Sequence, residues 1–165
     1  MPMEAIDKKR IGYCRKLARS VIQRYEKEHG IINPPVPIED IARWSGFSVE
    51  LLERIGDEHS ALMLNDQKLI GINKNHHVHR RRFSLGHELG HFYLDHPPED
   101  DCDEEEIKLY NQEADEFSSE LLIPLHLLKE SLKDTTDINL LSKLFLVSSS
   151  AMTVKMISQR KLFSI

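Results

Sequence analysis

Two histidines and a glutamate in the middle of the chain, His87-Glu88-Leu89-Gly90-His91, have the spacing of a metal site. If this segment is helical, one turn places His87 and His91 on the same face, where both imidazoles can bind one metal ion. Glu88 then lies close enough to take a proton from a metal-bound water. The motif therefore predicts metal-assisted hydrolysis, with His87 and His91 as metal ligands and Glu88 as the catalytic base.

A catalytic zinc ion takes three ligands from the protein and keeps its fourth position for water or substrate, so a third ligand must be found. Glu113 lies on a separate amphipathic segment, where a second helix can cross the first and donate a carboxylate. We therefore predict Glu113 as the third ligand. Other candidates lie on the same segment or in the intervening loop: Glu116, Glu120, His96, Glu99 and Asp101.

Hydrophobic periodicity predicts the two helices that must position these residues. One helix, from about Arg81 to Asp95, carries the motif, and a second, from about Asp103 to Leu122, carries Glu113. Gly86 and Gly90 lie one turn apart in the first helix, where each glycine costs about 1 kcal/mol relative to alanine. Two interpretations remain open: close packing on another element, or room beside a metal site.

The remaining segments predict an α+β fold. Two helices are expected early in the chain, from about Ala5 to Glu28 and from Ile38 to Ser45. Three apolar runs are predicted strands, at 47–53, 60–64 and 68–73, the last two forming a hairpin. The expected architecture is a small, mainly antiparallel sheet of about three strands, packed with an active-site helix, a second ligand helix, and N- and C-terminal helices.

Length and composition fit one domain over residues 1–165, since 40% of the residues are hydrophobic and 30% are charged. Its parts would be N-terminal helices (1–46), the sheet and metal-site helices (47–124) and a C-terminal helical segment (125–165). A net charge of −5 disfavours nucleic acid as a partner. The sequence shows no signal peptide or membrane span, so a cytoplasmic location is expected.

Three blocks of sequence resemble the ImmA/IrrE metallopeptidase family. They are Phe-Ser-Leu-Gly-His-Glu-Leu-Gly-His at 83–91, Glu-Ala-Asp-Glu-Phe at 113–117 and Leu-Leu-Ile-Pro at 121–124. Similarity extends from about Ala61 through the C-terminal segment at 141–161. The resemblance implies a zincin-like, zinc-dependent endopeptidase that binds one Zn²⁺ per chain. It also implies a protein substrate, a helix-turn-helix transcriptional repressor of a mobile element or stress regulon.

The chain departs from the family pattern at positions beside the motif. Gly86 stands where the family usually has alanine, and Ser118-Ser119 stand where alanines are common. Neither change touches a predicted ligand, but packing around the site is expected to differ.

Further candidates surround the predicted metal site. Asp115 and Glu116 could hydrogen-bond a ligand imidazole and hold its orientation. A sheet edge can bind substrate as an added strand, and the candidates for this edge are Ser60, Ala61, Leu62, Met63 and Leu64. The group that stabilises the oxyanion is left open among Tyr93, Tyr110, His76, His77, His79 and His126.

The C-terminal segment supports a different interpretation. Residues 140–159 predict a helix, a turn and a second helix with Ser148 as its N-cap, which is also the outline of a DNA-binding helix-turn-helix. The alternative function is a DNA-binding or protein-binding regulator with a structural, non-catalytic metal site. Polar groups available for base contact are few: Ser149, Ser150, Thr153, Lys155 and Gln159. The basic run 79–82 is a second candidate nucleic-acid patch, although such runs are usually solvated helix starts.

Overall fold

The structure, a computed structural model, describes residues 6–160 and has the predicted α+β class. Ala5 and Lys161, at the ends of two predicted segments, lie outside the described residues. The elements in chain order are α1 (Lys8–His29), α2 (Ile38–Trp44), β1 (Ser48–Leu52), β2 (Ala61–Leu64), β3 (Leu69–Asn73), α3 (Val78–Tyr93), α4 (Glu104–Leu122), α5 (Leu125–Ser131), α6 (Ile138–Phe145) and α7 (Ser149–Ser158). A short 3-10 turn, Glu99–Asp101, precedes α4.

Helix ends follow local signals in the sequence. Gly30 ends α1 at a φ of +89°, a backbone conformation that favours glycine. The acidic run begins α4, where the Asp103 side chain accepts from the Glu106 amide and the Glu106 side chain accepts from the Asp103 amide. Ser148 caps α7 as predicted. Because these capping residues can be recognised in the sequence, several predicted helix ends lie within one or two residues of the observed ends.

The sheet is mixed, with strand order β1-β3-β2, so the expectation of a mainly antiparallel sheet is corrected. β2 and β3 form the predicted antiparallel hairpin, whereas β1 pairs parallel to β3 on its other side. Strand periodicity indicates which face is buried but not which neighbour a strand will pair with. β3 is the central strand, with Ile70 and Ile72 in the core, and among residues 6–160 no strand pairs with the outer edge of β2.

Helices α3 and α4 pack face to face, and this pairing positions the candidate site. Leu89 of α3 and Phe117 of α4 are fully buried in the core. Helix α1 lies against the far side of α4, while the sheet and α2 lie against α3. The motif helix is therefore held between the sheet and α4.

Gly86 and Gly90 face α4, which supports the packing interpretation of these glycines. A side chain at Gly90 would meet the backbone of Ala114, with its Cβ 3.0 Å from the Ala114 Cα. A side chain at Gly86 would overlap the hydroxyl of Ser118, which donates to the Phe83 carbonyl at 2.8 Å. The two departures from the family pattern therefore touch each other: the methyl missing at 86 leaves room for the hydroxyl at 118.

Replacing Gly90 with alanine should destabilise the protein, even though alanine is the better helix former. The added methyl presses against backbone, and overpacking of this kind costs about 1–3 kcal/mol, more than the gain of about 1 kcal/mol in helix propensity. Gly12→Ala is the matched control, because no atom of the described part of the chain lies within 4 Å of a Cβ built at that exposed helical position. Chemical denaturation should show opposite signs for the two variants; equal stabilisation would contradict close packing at Gly90.

The C-terminal helices α6 and α7 meet at 107°. Lys155 of α7 is 2% exposed and forms an ion pair with Glu120 of α4, so α7 is tied to the core. Among residues 6–160, no single helix is long and apolar enough to cross a membrane, and only the bent pair α6–α7 reaches that composition.

Candidate metal centre and active-site cleft

Helix α3 presents the three residues of the motif to a cavity of about 870 Å³. His87 and His91 lie one turn apart, and their Nε2 atoms are 2.9 Å from each other. Glu88 lines the same cavity, and burial raises its pKa. The predicted helix therefore brings the two imidazoles and the carboxylate together.

Asp115 of α4 is one of the two residues predicted to orient a ligand imidazole, and it contacts the ring of His87. Its Oδ1 lies 2.7 Å from the His87 Nδ1. Burial lowers the pKa of His87, but the hydrogen bond and charge of Asp115 outweigh it, so the net shift is upward. The other candidate, Glu116, instead accepts from the Arg15 Nε at 3.1 Å.

The structure does not bring Glu113 together with the histidine pair. The Glu113 carboxylate is 3% exposed and binds Arg10 of α1, whose Nη2 lies 2.5 Å from Oε1. It also accepts from the His96 Nε2 at 3.0 Å. Burial raises the pKa of Glu113, but these two partners outweigh that effect and lower it. Among the described residues, no three His, Cys, Asp or Glu side chains are placed to share a metal ion.

A ladder of ion pairs between α1 and α4 explains this placement. Three arginines of α1 face three glutamates of α4, and the pairs are Arg10–Glu113, Arg15–Glu116 and Arg19–Glu120. Glu120 also binds Lys155. The carboxylates that α4 offered as ligand candidates are thus the partners of basic groups on other helices.

Asn111, which the sequence analysis does not name, is the α4 residue whose side chain lies within hydrogen-bond distance of both His87 and His91. Its Oδ1 lies 3.2 Å from the Nε2 of His87 and 3.2 Å from the Nε2 of His91. The sequence carried a signal for it, because Asn111 lies one turn before Asp115 on the same face of α4. It is not named there because only acidic side chains and histidine are taken as ligand candidates.

His96 lies on the opposite side of the His91 ring. Its Nδ1 is 2.8 Å from the His91 Nδ1, so it contacts the nitrogen that faces away from His87. Burial, followed by repulsion from His87 and His96, lowers the pKa of His91 to about 4. His91 is therefore neutral near pH 7, as a metal-binding imidazole must be.

The predicted substrate strand borders the cavity. All four residues of β2, Ala61–Leu64, line it, and β2 is an edge strand of the sheet. Ser60 lies just outside the lining and its hydroxyl accepts from the Arg80 Nε at 3.0 Å. Of the six candidates for the oxyanion group, Tyr110 is the one that lines the cavity, and its ring lies against His96 with centroids 4.4 Å apart.

The third-ligand candidates in the loop before α4 have different positions. Glu99 lines the cavity, whereas Asp101 does not. The loop forms a short 3-10 turn at one end of the cleft, which gives that end a negative charge.

Three of the candidate nucleic-acid groups are held within the fold, while three others, at positions 149, 150 and 153, are exposed. Lys155 and Gln159 of α7 are 2% and 5% exposed. Arg82 donates to the carbonyls of Val36 and Leu146 at 2.9 and 3.2 Å, and so holds two loops against α3. These side chains contribute to packing and are not available to read base edges.

Replacing Asp115 with alanine should lower zinc affinity about 10–100-fold, the usual effect of removing a hydrogen-bond partner of a ligand histidine. The Asp115 carboxylate fixes the orientation of the His87 ring and keeps the ring proton on Nδ1. Without the carboxylate, both constraints are lost. Competition with a zinc indicator measures the effect. Glu105→Ala, an exposed substitution in the first turn of α4, is the control; an equal loss in both variants would contradict the assignment.

Comparisons with known proteins match the part of the chain that contains α3 and α4. The sequence profile of a peptidase family described as the IrrE N-terminal-like domain matches residues 47–156, more than half of the chain. A solved structure of a Mycobacterium tuberculosis transcriptional regulator superposes with a TM-score of 0.64 at 17% identity, a likeness of fold. The match covers 87% of this chain but 47% of that protein, so the chain spans about half its length. No curated protein matches the sequence.

Proposed function

Because the chain belongs to the IrrE N-terminal-like family of peptidases, we propose that it is a zinc-dependent endopeptidase acting on a protein substrate. One observation carries the proposal: the Nε2 atoms of His87 and His91 lie 2.9 Å apart in a cavity that Glu88 lines and β2 borders. Two imidazoles and a neighbouring carboxylate supply two metal ligands and a base for metal-assisted hydrolysis.

The residues present fit a zinc ion held by His87 and His91. When bound, zinc supplies a Lewis acid and lowers the pKa of a coordinated water towards about 7. Glu88 accepts a proton in the cleft and passes it to the departing amine, and its raised pKa suits a group that must both take and release a proton. The free edge of β2 aligns an extended peptide beside the motif.

We further propose that the substrate is a helix-turn-helix repressor of a mobile element or stress regulon. The family resemblance supports this class, and so does the charge of the cleft. Its lining includes Asp66 on the β2–β3 turn and Glu99 and Asp100 on the loop before α4, and within residues 6–160 it contains no lysine or arginine. A cleft of this sign favours a basic segment, such as the DNA-binding surface of a repressor.

Little in the fold favours the alternative function, a DNA-binding regulator with a structural metal site. Lys155 and Gln159, two of its candidate base-contacting groups, are buried. A cavity of about 870 Å³ lies beside the motif, and a purely structural site does not require one.

The proposal is tested by incubating the zinc-loaded protein with the helix-turn-helix repressor encoded beside its gene and measuring intact masses. We expect two fragments whose masses sum to that of the repressor plus one water, and none after chelation. If the repressor stays intact with zinc-loaded protein, the substrate proposal fails. If duplex DNA binds instead, in a salt-dependent way, the alternative is favoured.

A further inference from the structure

Three atoms from two helices converge beside the motif: the Nε2 atoms of His87 and His91 and the Oδ1 of Asn111, separated by 2.9, 3.2 and 3.2 Å. We propose that Asn111 is the third protein ligand of the metal. We propose also that Glu113 acts indirectly, by fixing the position of the ring proton on His91 through His96. This inference rests on the metal site of the proposed function.

The proton on His87 can be located from its partner. A carboxylate only accepts hydrogen bonds, so Asp115 requires the ring proton of His87 to lie on Nδ1, 2.7 Å away. In the neutral ring the Nε2 atom then carries a lone pair. That lone pair faces His91 and Asn111.

The proton on His91 can be located by the same reasoning through a longer chain of contacts. Glu113, paired with Arg10, accepts from the His96 Nε2, so the proton of neutral His96 lies on Nε2. The His96 Nδ1 is then an acceptor, and at 2.8 Å it takes a hydrogen bond from the His91 Nδ1. The His91 Nε2 is left with a lone pair that faces His87 and Asn111.

Three lone pairs thus face one another with no proton between them, an arrangement that a cation stabilises. Ligands about 2.0–2.1 Å from a tetrahedral zinc ion lie roughly 3.3 Å apart, close to the observed separations. The buried Glu113 carboxylate is already shared between Arg10 and His96 and does not line the cavity. Asn111 does line it, so the geometry assigns the third position to a neutral amide oxygen.

A neutral third ligand has a consequence for affinity. With a carboxylate in this position the ligand set would offset one of the two charges of the ion, whereas the amide leaves both. The charge of the ligands tunes metal affinity, so we expect weaker binding than a carboxylate would give. An isosteric change from amide to acid at this position should therefore tighten the site.

The test compares isosteric pairs at the two α4 positions, with cobalt as a spectroscopic probe and zinc for affinity. Asn111→Asp should raise zinc affinity about tenfold or more and change the visible absorption of bound cobalt. Asn111→Leu should lower zinc affinity and also change that spectrum. Glu113→Gln, which keeps an acceptor for His96, should leave the cobalt spectrum unchanged.

The role of Glu113 is tested through the tautomer of His91. Imidazole nitrogen NMR shifts should place the His91 proton on Nδ1 in the parent protein and in Glu113→Gln. In Glu113→Leu, which lacks the acceptor for His96, the shifts should report a mixture of the two His91 tautomers. Arg10 is 44% exposed and can be solvated in the leucine variant. An unchanged tautomer in Glu113→Leu would overturn the indirect role.

Two outcomes separate this inference from the proposed function. If cobalt binds and its spectrum responds to Glu113→Gln but not to the Asn111 variants, Glu113 is the ligand and the inference is overturned while the metal site stands. If the parent protein binds neither cobalt nor zinc, both fail together.

Discussion

Replacing Glu88 with glutamine should lower the rate of peptide cleavage about 10²–10⁴-fold, the usual contribution of a general base. The amide keeps the size and position of the side chain in the cleft but cannot take up a proton. Glu88 lies in the same helix as the two proposed ligand histidines, and none of the three converging atoms belongs to it, so zinc content should be unchanged. Initial rates at equal zinc occupancy measure the effect.

Glu99→Gln is the matched control for this experiment. Glu99 also lines the cavity and loses the same charge on substitution, but it lies on the loop before α4, outside the motif helix. We expect its kcat to remain close to that of the parent protein, while the loss of one acidic group from the cleft raises the KM for a basic segment. Parent-like cleavage by Glu88→Gln would refute its role as the base, and equal losses in both variants would indicate an effect of cleft charge.

Replacing Glu120 with alanine should destabilise the fold by about 3–5 kcal/mol, the usual cost of breaking a buried ion pair on one side. Lys155 is buried against Glu120, and burial already lowers the pKa of this lysine despite its partner. Without the carboxylate, the ammonium group must be buried alone, lose its proton or pull α7 from α4. Urea unfolding monitored by circular dichroism measures the loss.

Glu116→Ala is the control, because its partner Arg15 belongs to the same ladder but both side chains keep access to water. A solvent-accessible pair is worth about 0.2–1 kcal/mol. The double variant Glu120→Leu with Lys155→Met should recover most of the stability, since a buried pair can be replaced by apolar groups at little cost. Equal losses for Glu120→Ala and Glu116→Ala would show that Lys155 is not held by Glu120.

The parts of the site that depend on spacing along one helix could be predicted from the sequence. His87 and His91 share a face because they are one turn apart, and the acidic run caps α4 because carboxylates suit a helix N-terminus. Asp115 was among the predicted partners of a ligand imidazole and does contact His87. The α+β class followed from the same periodicities.

The parts that depend on contacts between distant segments could not be predicted. Glu113 looked like a free carboxylate, because nothing in its neighbourhood in sequence shows that Arg10 will bind it from α1. The parallel pairing of β1 with β3 likewise depends on where the chain returns after β1. Asn111 became visible only when α3 and α4 were placed side by side.

The ion-pair ladder between α1 and α4 limits how far the chain can be truncated from its N-terminal side. The segment shared with the peptidase family begins at residue 47, yet Arg10, Arg15 and Arg19 precede it. A shortened chain that starts at the family boundary would lose all three cations and expose the α4 face that α1 covers. Glu113 would lose its arginine, and with it the charge that holds the contacts to His96 and His91. We therefore expect the smallest working unit to extend upstream of the matched family segment, through the whole of α1.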